Sequence, residues 1–221
     1  MSEETPQTPK KYYDYISVGN RTKQVAYFVQ QHDKNRMFAE MLKIVSKKQI
    51  LVLVKSKRSA DALVKYLKEK EVVALAIHGN HRTSQIEEAQ TAFNAKEVSI
   101  LITTNRILET FSLTDVQTLI NYDLPLEAPD YFTALRLVDE VGEAISFIDP
   151  EDERMLATIE LMMHCEMLEE EIKCFEHTPR LERSVKDKTK KPRHKKVEQR
   201  AKRKAEIKSK WVPSSTTTKD N

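Results

Sequence analysis

Glycine, cysteine and long apolar runs are scarce in this 221-residue sequence, which has three glycines and two cysteines. Two cysteines cannot build the multi-bridge framework of small secreted domains. No apolar run approaches the ~20 residues of a membrane-spanning helix, and the stretch MSEETPQTPKK lacks the apolar segment of a secretory signal. No G-x-x-x-x-G-K-[ST] phosphate loop is present. We therefore expect a cytoplasmic protein with no membrane segment.

Charge is distributed unevenly along the chain. Residues 180–210 contain fifteen Lys or Arg and four Asp or Glu, a local charge of +11. The whole chain carries +3 and Lys219 cancels Asp220, so residues 1–179 carry −8. Such a basic segment favours disorder and contact with a polyanion. In a eukaryotic cell KKPRHKK (190–196) would also serve as a nuclear localisation signal, giving a nuclear or nucleolar protein.

Apolar strands alternate with amphipathic helices through most of the sequence. ILVLV (50–54) and VSILIT (98–103) are continuous apolar runs, typical of strands buried on both faces of a parallel sheet. This alternation predicts an α/β fold: one three-layer domain with a parallel sheet. The expected organisation is a flexible lead-in (1–15), the α/β domain (16–150), a helical extension (151–178) and a basic, disordered tail (179–221).

The loops after the predicted strands are polar or basic. They read KSKRS, HGNHRT, TTNR and YDLP. Parallel sheets bind ligands at the carboxyl ends of their strands, where these loops meet. Hydroxyl and cationic side chains at that edge suit contact with phosphate groups.

Four motifs in series carry a family resemblance, namely ILVLVKSKRSADALVKYL, AIHGNHRTSQIEEAQTAF, VSILITTNR with VQTLINYDLP, and GEAISF. Together they resemble the C-terminal RecA-like domain of DEAD-box RNA helicases over residues 16–175. The resemblance implies that Ser56 and Lys57 approach an RNA backbone and that the backbone of Gly79, beside Asn80, lies against RNA. It also implies a phosphate contact for Thr104. The ATPase half of such helicases, with its D-E-A-D motif, is absent from this sequence.

Residues that serve RNA contact and ATP chemistry in the resembling family are replaced here. Where the family has a Gln and an RNA-contacting Arg, this chain has Thr83 and Ile86. The family's A-R-G-[IL]-D becomes LETFS, which places Glu109, Thr110 and Ser112 at the Arg, Gly and Asp positions. Its H-R-x-G-R-x-G-R motif, shortened by about three residues, begins with Thr133 and Ala134.

Loss of these arginines bears directly on catalysis. Phosphoryl transfer needs cations against the transferring oxygens, and one such arginine is worth roughly 10³–10⁵ in rate. A glutamate beside a phosphate would add repulsion. We therefore expect a non-enzymatic protein without a cofactor.

The basic tail is the second predicted RNA contact. Disordered basic arms bind phosphate backbones with little sequence preference, and a tryptophan can stack on a base. The expected partner is structured or ribosomal RNA, alone or in an RNA–protein assembly. The predicted contacts are Lys190, Lys191, Arg193, Lys195, Lys196, Arg200, Lys202, Arg203, Lys204 and Trp211.

Two other functions remain open from the sequence. The chain would be the C-terminal half of a split ATP-dependent RNA helicase if a separate N-terminal half completed it. Alternatively, the acidic body would dock a protein partner as an interaction domain, and the tail would serve solubility or localisation.

A metal site is disfavoured at HCEMLEEEIKCFEH (164–177), although it contains His164, Cys165, Cys174 and His177. The spacing lacks the paired C-x₂₋₄-C of structural zinc sites. Buried cysteines and helix-end histidines are the simpler interpretation.

Overall fold

The computed structural model describes residues 14–45, 48–173 and 175–178. Most of the predicted lead-in and the whole predicted tail lie outside these residues. Seven parallel strands form one sheet in the order β3-β4-β2-β5-β6-β1-β7. The strands are β1 (Lys23–Phe28), β2 (Ile50–Leu53), β3 (Leu75–Ile77), β4 (Ile100–Thr103), β5 (Val116–Asn121), β6 (Val138–Ile148) and β7 (Leu168–Glu169).

Helices cover both faces of the sheet, which confirms the predicted α/β, RecA-like fold. The helices are α1 (Tyr15–Arg21), α2 (Lys34–Ile44), α3 (Lys57–Glu69), α4 (Thr83–Asn94), α5 (Ala128–Leu135) and α6 (Glu153–Met163), with a 3₁₀ helix at Asn105–Thr110. Helices α1, α4, α5 and α6 share one apolar cluster, and α2 and α3 share the other. In the described residues, no helix is long and apolar enough to cross a membrane.

Continuous apolar runs form the central strands because both faces of the sheet are buried. In β2, Leu51 and Leu53 belong to the cluster under α4 and α5, whereas Ile50 and Val52 belong to the cluster under α2 and α3. All four side chains are at most 2% exposed. A strand covered on only one side would alternate apolar with polar residues instead.

The domain begins slightly earlier than the sequence indicated. Asp14 caps α1 by accepting a hydrogen bond from the backbone N–H of Ser17 at 2.7 Å. The ring of Tyr15 lies 4.5 Å from that of Phe132 on α5. These two residues, assigned to a flexible lead-in, are therefore part of the folded body.

The extension after residue 150 is helical only in its first half. Helix α6 ends at Met163, and His164 follows in the left-handed conformation with φ of 54°. The chain then adds β7 to the edge of the sheet beside β1. Cys165 is exposed, which corrects the expectation that it is buried, and Cys174 lies outside the described residues.

The end of the extension is fixed to the start of α2. Thr178 donates hydrogen bonds to the carboxylate of Asp33 from its backbone N–H at 2.8 Å and from its hydroxyl at 2.7 Å. Arg36 donates to the carbonyl of Glu176 at 2.7 Å and lies over the ring of Phe175. The segment 175–178 therefore belongs to the body of the domain.

A fully buried lysine joins the carboxyl ends of β5 and β6. The ammonium of Lys34, at the start of α2, lies 3.1 Å from Asp123, 3.0 Å from Asp149 and 3.5 Å from Asp152. All four side chains are at most 8% exposed. Lys55, after β2, adds a second cation 2.6 Å from Asp152. Buried charges of this kind are tolerated only when they are paired.

We expect Lys34→Met to lower the free energy of unfolding by about 3–5 kcal/mol, because it leaves buried aspartates without their cation. Urea denaturation measures the change. Lys43→Met is the matched control, since Lys43 is 70% exposed in its pair with Glu40 and such pairs contribute about 0–1 kcal/mol. Equal losses in the two variants would contradict the assigned importance of the buried cluster.

The same cluster predicts a pH window. Burial raises the pKa of Asp149, but the hydrogen bond and charge of Lys34 outweigh it and hold that pKa below 3.8. Burial lowers the pKa of Lys34, but the surrounding aspartates outweigh it and raise that pKa above 10.5. The contribution of the Asp149 carboxylate to stability is therefore present above pH 3.8 and is lost as the pH falls through its lowered pKa. The contribution of Lys34 to stability is present up to pH 10.5 and is lost as the pH rises through its raised pKa.

The stability difference between the natural chain and Lys34→Met should be largest towards about pH 9, where the buried aspartates are ionised in both chains. It should shrink on acidification, because burial without the cation raises the pKa of the aspartates in the variant and their protonation removes the unpaired charge. Urea titrations of both chains across this range measure it. A difference that stays the same from about pH 9 to about pH 3 would contradict this assignment.

Candidate functional site

The loops predicted to bind a ligand meet at the carboxyl edge of the sheet. Ser56 follows β2, Gly79 and Asn80 follow β3, and Thr104 follows β4. These three strands are neighbours in the order β3-β4-β2. The fold thus brings the predicted RNA-contacting residues of the body to one edge.

Ser56 starts α3 and aims the helix N-terminus at this edge. Its hydroxyl oxygen accepts a hydrogen bond from the backbone N–H of Ser59 at 3.0 Å, which is an N-cap. The positive end of the helix dipole lies here, together with the exposed Arg58. Oriented N–H groups and a cation at a helix start favour an anionic ligand.

Lys57 and Asn80 join the first two loops. The ammonium of Lys57 donates a hydrogen bond to the side-chain carbonyl of Asn80. Asn80 is exposed and Lys57 is partly exposed. Both polar groups therefore lie at the surface of the edge, where a ligand can reach them.

Gly79 is a glycine that the fold itself does not require. Its φ is not positive. An added Cβ would meet only ordinary contacts, the nearest being Ile107 Cγ2 at 3.7 Å and Lys57 Nζ at 3.8 Å. Gly79 is also exposed. If glycine is needed at this position, the reason is a ligand that packs against the exposed backbone of Gly79.

Thr104 is less accessible than the sequence suggested, being only 7% exposed. It precedes the 3₁₀ helix, and its carbonyl accepts a hydrogen bond from Ile107 N–H at 3.2 Å. The loop position agrees with the prediction, but the side chain offers a ligand little surface.

Two departures from the expected RNA motif lie on α4. Thr83 is exposed at the first residue of the helix. Ile86 is partly buried and packs against the apolar cluster under α4 and α5. The position at which an arginine was expected therefore supports the core instead of the edge.

The altered LETFS segment is fixed to α4 by side-chain hydrogen bonds. The carbonyl of Ser112 accepts from Gln90 at 3.1 Å and from Asn94 at 3.0 Å, and its N–H donates to Gln90 at 3.2 Å. The hydroxyl of Thr110 donates to the carbonyl of Ile107 at 2.6 Å. These groups are engaged within the protein.

Positions from both altered motifs share one small cavity. Its volume is about 190 Å³, and its lining includes Glu109, Asp130, Thr133 and Arg106. Two carboxylates against one guanidinium make it a poor place for a phosphate. Ala134 does not reach this cavity's lining, because it is fully buried in the core.

His78 and His81 form a local pair in the loop after β3. His78 is 5% exposed, its Nε2 lies 3.1 Å from Asp61, and its ring centroid lies 4.3 Å from that of His81. These contacts hold the loop after β3 and agree with a structural role.

The tail residues predicted to bind RNA all lie outside the described residues. They are Lys190, Lys191, Arg193, Lys195, Lys196, Arg200, Lys202, Arg203, Lys204 and Trp211. In contrast, the Lys34 cluster lies inside the body, and the sequence analysis did not predict it. Asp123 and Asp149 follow apolar strands in the sequence, which was the available signal, but no pattern distinguishes Lys34 from a surface lysine.

The fold and this edge define a helicase-type RecA-like domain. Residues 33–138 match the family described as the helicase conserved C-terminal domain. Vasa, an ATP-dependent RNA helicase of Drosophila melanogaster, is 32% identical over 156 residues, covering 66% of this chain and 23% of vasa. The ATP-dependent RNA helicase SUB2-2 of Vanderwaltozyma polyspora is 32% identical over 136 residues, covering 60% of this chain and 31% of the relative.

Two solved structures of DEAD-box proteins have a similar fold. A DEAD box protein from Methanococcus jannaschii superposes with a TM-score of 0.65 at 26% identity, covering 70% of this chain and 43% of that one. The isolated C-terminal domain of the DEAD-box protein Dbp5 superposes at 0.64 with 23% identity, covering 68% of this chain and 91% of that domain. The body of this chain therefore resembles the C-terminal domain of DEAD-box helicases in both sequence and fold. The chain spans 23% and 31% of the length of the two curated relatives named above.

We expect Gly79→Ala to leave the free energy of unfolding within about 0.5 kcal/mol of the natural chain. Gly142→Ala is the contrasting variant, because its Cβ would collide with Val138 and lie 2.8 Å from the carbonyl of Gln117. That crowding should lower stability by about 1–3 kcal/mol. Urea denaturation distinguishes them, and a large loss for Gly79→Ala would show that the fold itself needs this glycine.

Proposed function

We propose that this chain is a non-catalytic, helicase-derived RNA-binding protein. The observation that carries the proposal is a contrast between two parts of one domain. The carboxyl edge keeps an accessible backbone at Gly79 beside Lys57 and a helix N-terminus. The altered motifs instead contribute Glu109 to a cavity that it shares with Asp130.

The edge supplies local cations on an otherwise acidic body. Because residues 1–179 carry a net charge of −8, they do not attract a polyanion as a whole. Binding of RNA to the body therefore needs individual cations placed next to its phosphates. Lys57, Arg58 and the N-terminus of α3 meet that requirement. The basic tail would supply most of the affinity through release of counterions from RNA.

A non-catalytic role follows from the charges that face the altered motifs. ATP hydrolysis needs arginines against the γ-phosphate, and their loss reduces the rate by roughly 10³–10⁵. A cavity lined by two carboxylates repels phosphate further. Structured or ribosomal RNA is the proposed ligand, since backbone contacts and a basic arm recognise shape more than sequence.

Fluorescence anisotropy with a labelled RNA hairpin, from about 50 to about 200 mM salt, tests the tail. The variant K202A/R203A/K204A should bind more weakly, and the slope of log K against log salt should fall by about 2 in magnitude. Unchanged binding would remove the tail from the interface. Absence of binding by the natural chain would overturn the proposed function.

Variants on the body test the edge. Lys57→Ala and Gly79→Ala should each weaken RNA binding about three- to tenfold, corresponding to ~1 kcal/mol. Lys65→Ala is the control for Lys57, because it removes an exposed lysine elsewhere on α3. Equal effects of the two lysine variants would indicate only a general charge effect.

ATP distinguishes this proposal from its alternative, the C-terminal half of a split helicase. That alternative is favoured by the relatives, which are ATP-dependent RNA helicases. We expect RNA affinity to be the same with and without ATP. A change in RNA affinity on adding ATP would contradict loss of the nucleotide side and support the split helicase.

A further inference from the structure

A second surface lies between α2 and α3, at the opposite end of the strands from the candidate RNA edge. It is a groove of about 680 Å³. Ile50 and Ile100, the first residues of β2 and β4, lie in its lining. Leu42, Tyr66 and Val72 add apolar surface, and Phe175 comes from the segment beyond β7. Clefts of this size, largely apolar with a few polar groups, are typical of binding sites.

The rim of this groove differs in charge from the body. Arg36, Lys43, Lys48 and Lys70 contribute four cations, against two carboxylates from Glu40 and Glu176. The groove is therefore positive, although residues 1–179 together carry −8. Such local complementarity selects an acidic partner.

Arg36 is engaged by Asp33 and Glu176, and Lys48 lies 2.6 Å from Glu143. The other two rim cations, Lys43 and Lys70, remain available to a ligand because their present contacts are weak. Lys43 lies 2.8 Å from Glu40, but both side chains are largely exposed, at 70% and 46%. Exposed pairs of this kind contribute about 0–1 kcal/mol. The ammonium of Lys70 lies 5.9 Å from the ring centroid of Tyr66. A carboxylate brought by a partner can replace the first contact and add to the second.

We propose that this groove docks an acidic peptide segment of a protein partner. An apolar or aromatic side chain of the segment fills the space over Ile50, Val72 and Ile100. Acidic residues beside that anchor pair with Lys43 and Lys70. Apolar anchors surrounded by charge-matched polar groups are the usual anatomy of such interfaces.

Peptide selection tests the groove without a known partner. A random twelve-residue display library is selected against the full chain, and the most enriched peptide is synthesised with a fluorescent label as the probe. We expect it to carry several Asp or Glu residues beside a large apolar residue. Its affinity should fall as salt rises, because the rim pairs are exposed.

Matched variants locate the bound peptide. Ala39→Glu places a carboxylate in the groove lining, whereas Ala62→Glu makes the same change at an exposed position of α3 outside it. The probe should lose at least tenfold in affinity with Ala39→Glu and with K43E/K70E, and keep it with Ala62→Glu. Circular dichroism and thermal unfolding establish that each variant is folded.

Three results would overturn the proposal: no enriched peptide, enriched peptides without an acidic bias, or equal binding to Ala39→Glu and Ala62→Glu. The outcome is separate from the proposed RNA function, because neither Ala39 nor Lys43 lies in the loops assigned to RNA.

Discussion

The buried ammonium of Lys34 determines the shape of the carboxyl edge. It connects the first turn of α2 to the loop after β5 through Asp123 and to the loop after β6 through Asp149. Asp123 also accepts a hydrogen bond from the backbone N–H of Lys55 at 3.1 Å. That contact fixes the start of the loop carrying Ser56 and Lys57. Because an unpaired buried charge is strongly unfavourable, these loops are held together even before a ligand binds.

The residues of the altered motifs are built into the packing and hydrogen bonding of this domain. The replacements add internal contacts: Ile86 packs on the core, and Ala134 is fully buried. Ser112 is bonded to Gln90 and Asn94. Ile86 and Ala134 contribute to packing, whereas Ser112 bonds through its backbone C=O and N–H. These positions therefore contribute to the fold itself.

The central strands could be predicted from the sequence, because a strand buried on both faces appears as a continuous run of apolar residues. Short elements were harder to predict. Helix α5 has eight residues with a proline in its first turn, and α1 lies in a polar stretch whose buried side includes Val18 and Gly19. Strand β6 begins at Val138, five residues before the run EAISFI. Its early part is held by pairing with β5, which is a property of the neighbour and not of its own sequence.

The residues of the candidate site could be predicted only where they belong to a short local motif in the sequence. The loops after β2, β3 and β4 were found because polar residues follow apolar strands. Lys34 could not be found this way, because Asp123 and Asp152 lie 89 and 118 positions away in the sequence. A lysine in the first turn even opposes the helix dipole. Only the assembled sheet supplies the three carboxylates that make its position favourable.

The two candidate surfaces lie at opposite ends of the same strands. β2 has four residues, and at ~3.3 Å per residue it separates the ends by about 13 Å. Its side chains are buried on both faces and packed between β4 and β5. A strand held in this way has no second arrangement to adopt, and coupling between sites needs an element with two arrangements. β2 therefore offers no route by which occupancy of the groove changes affinity at the carboxyl edge.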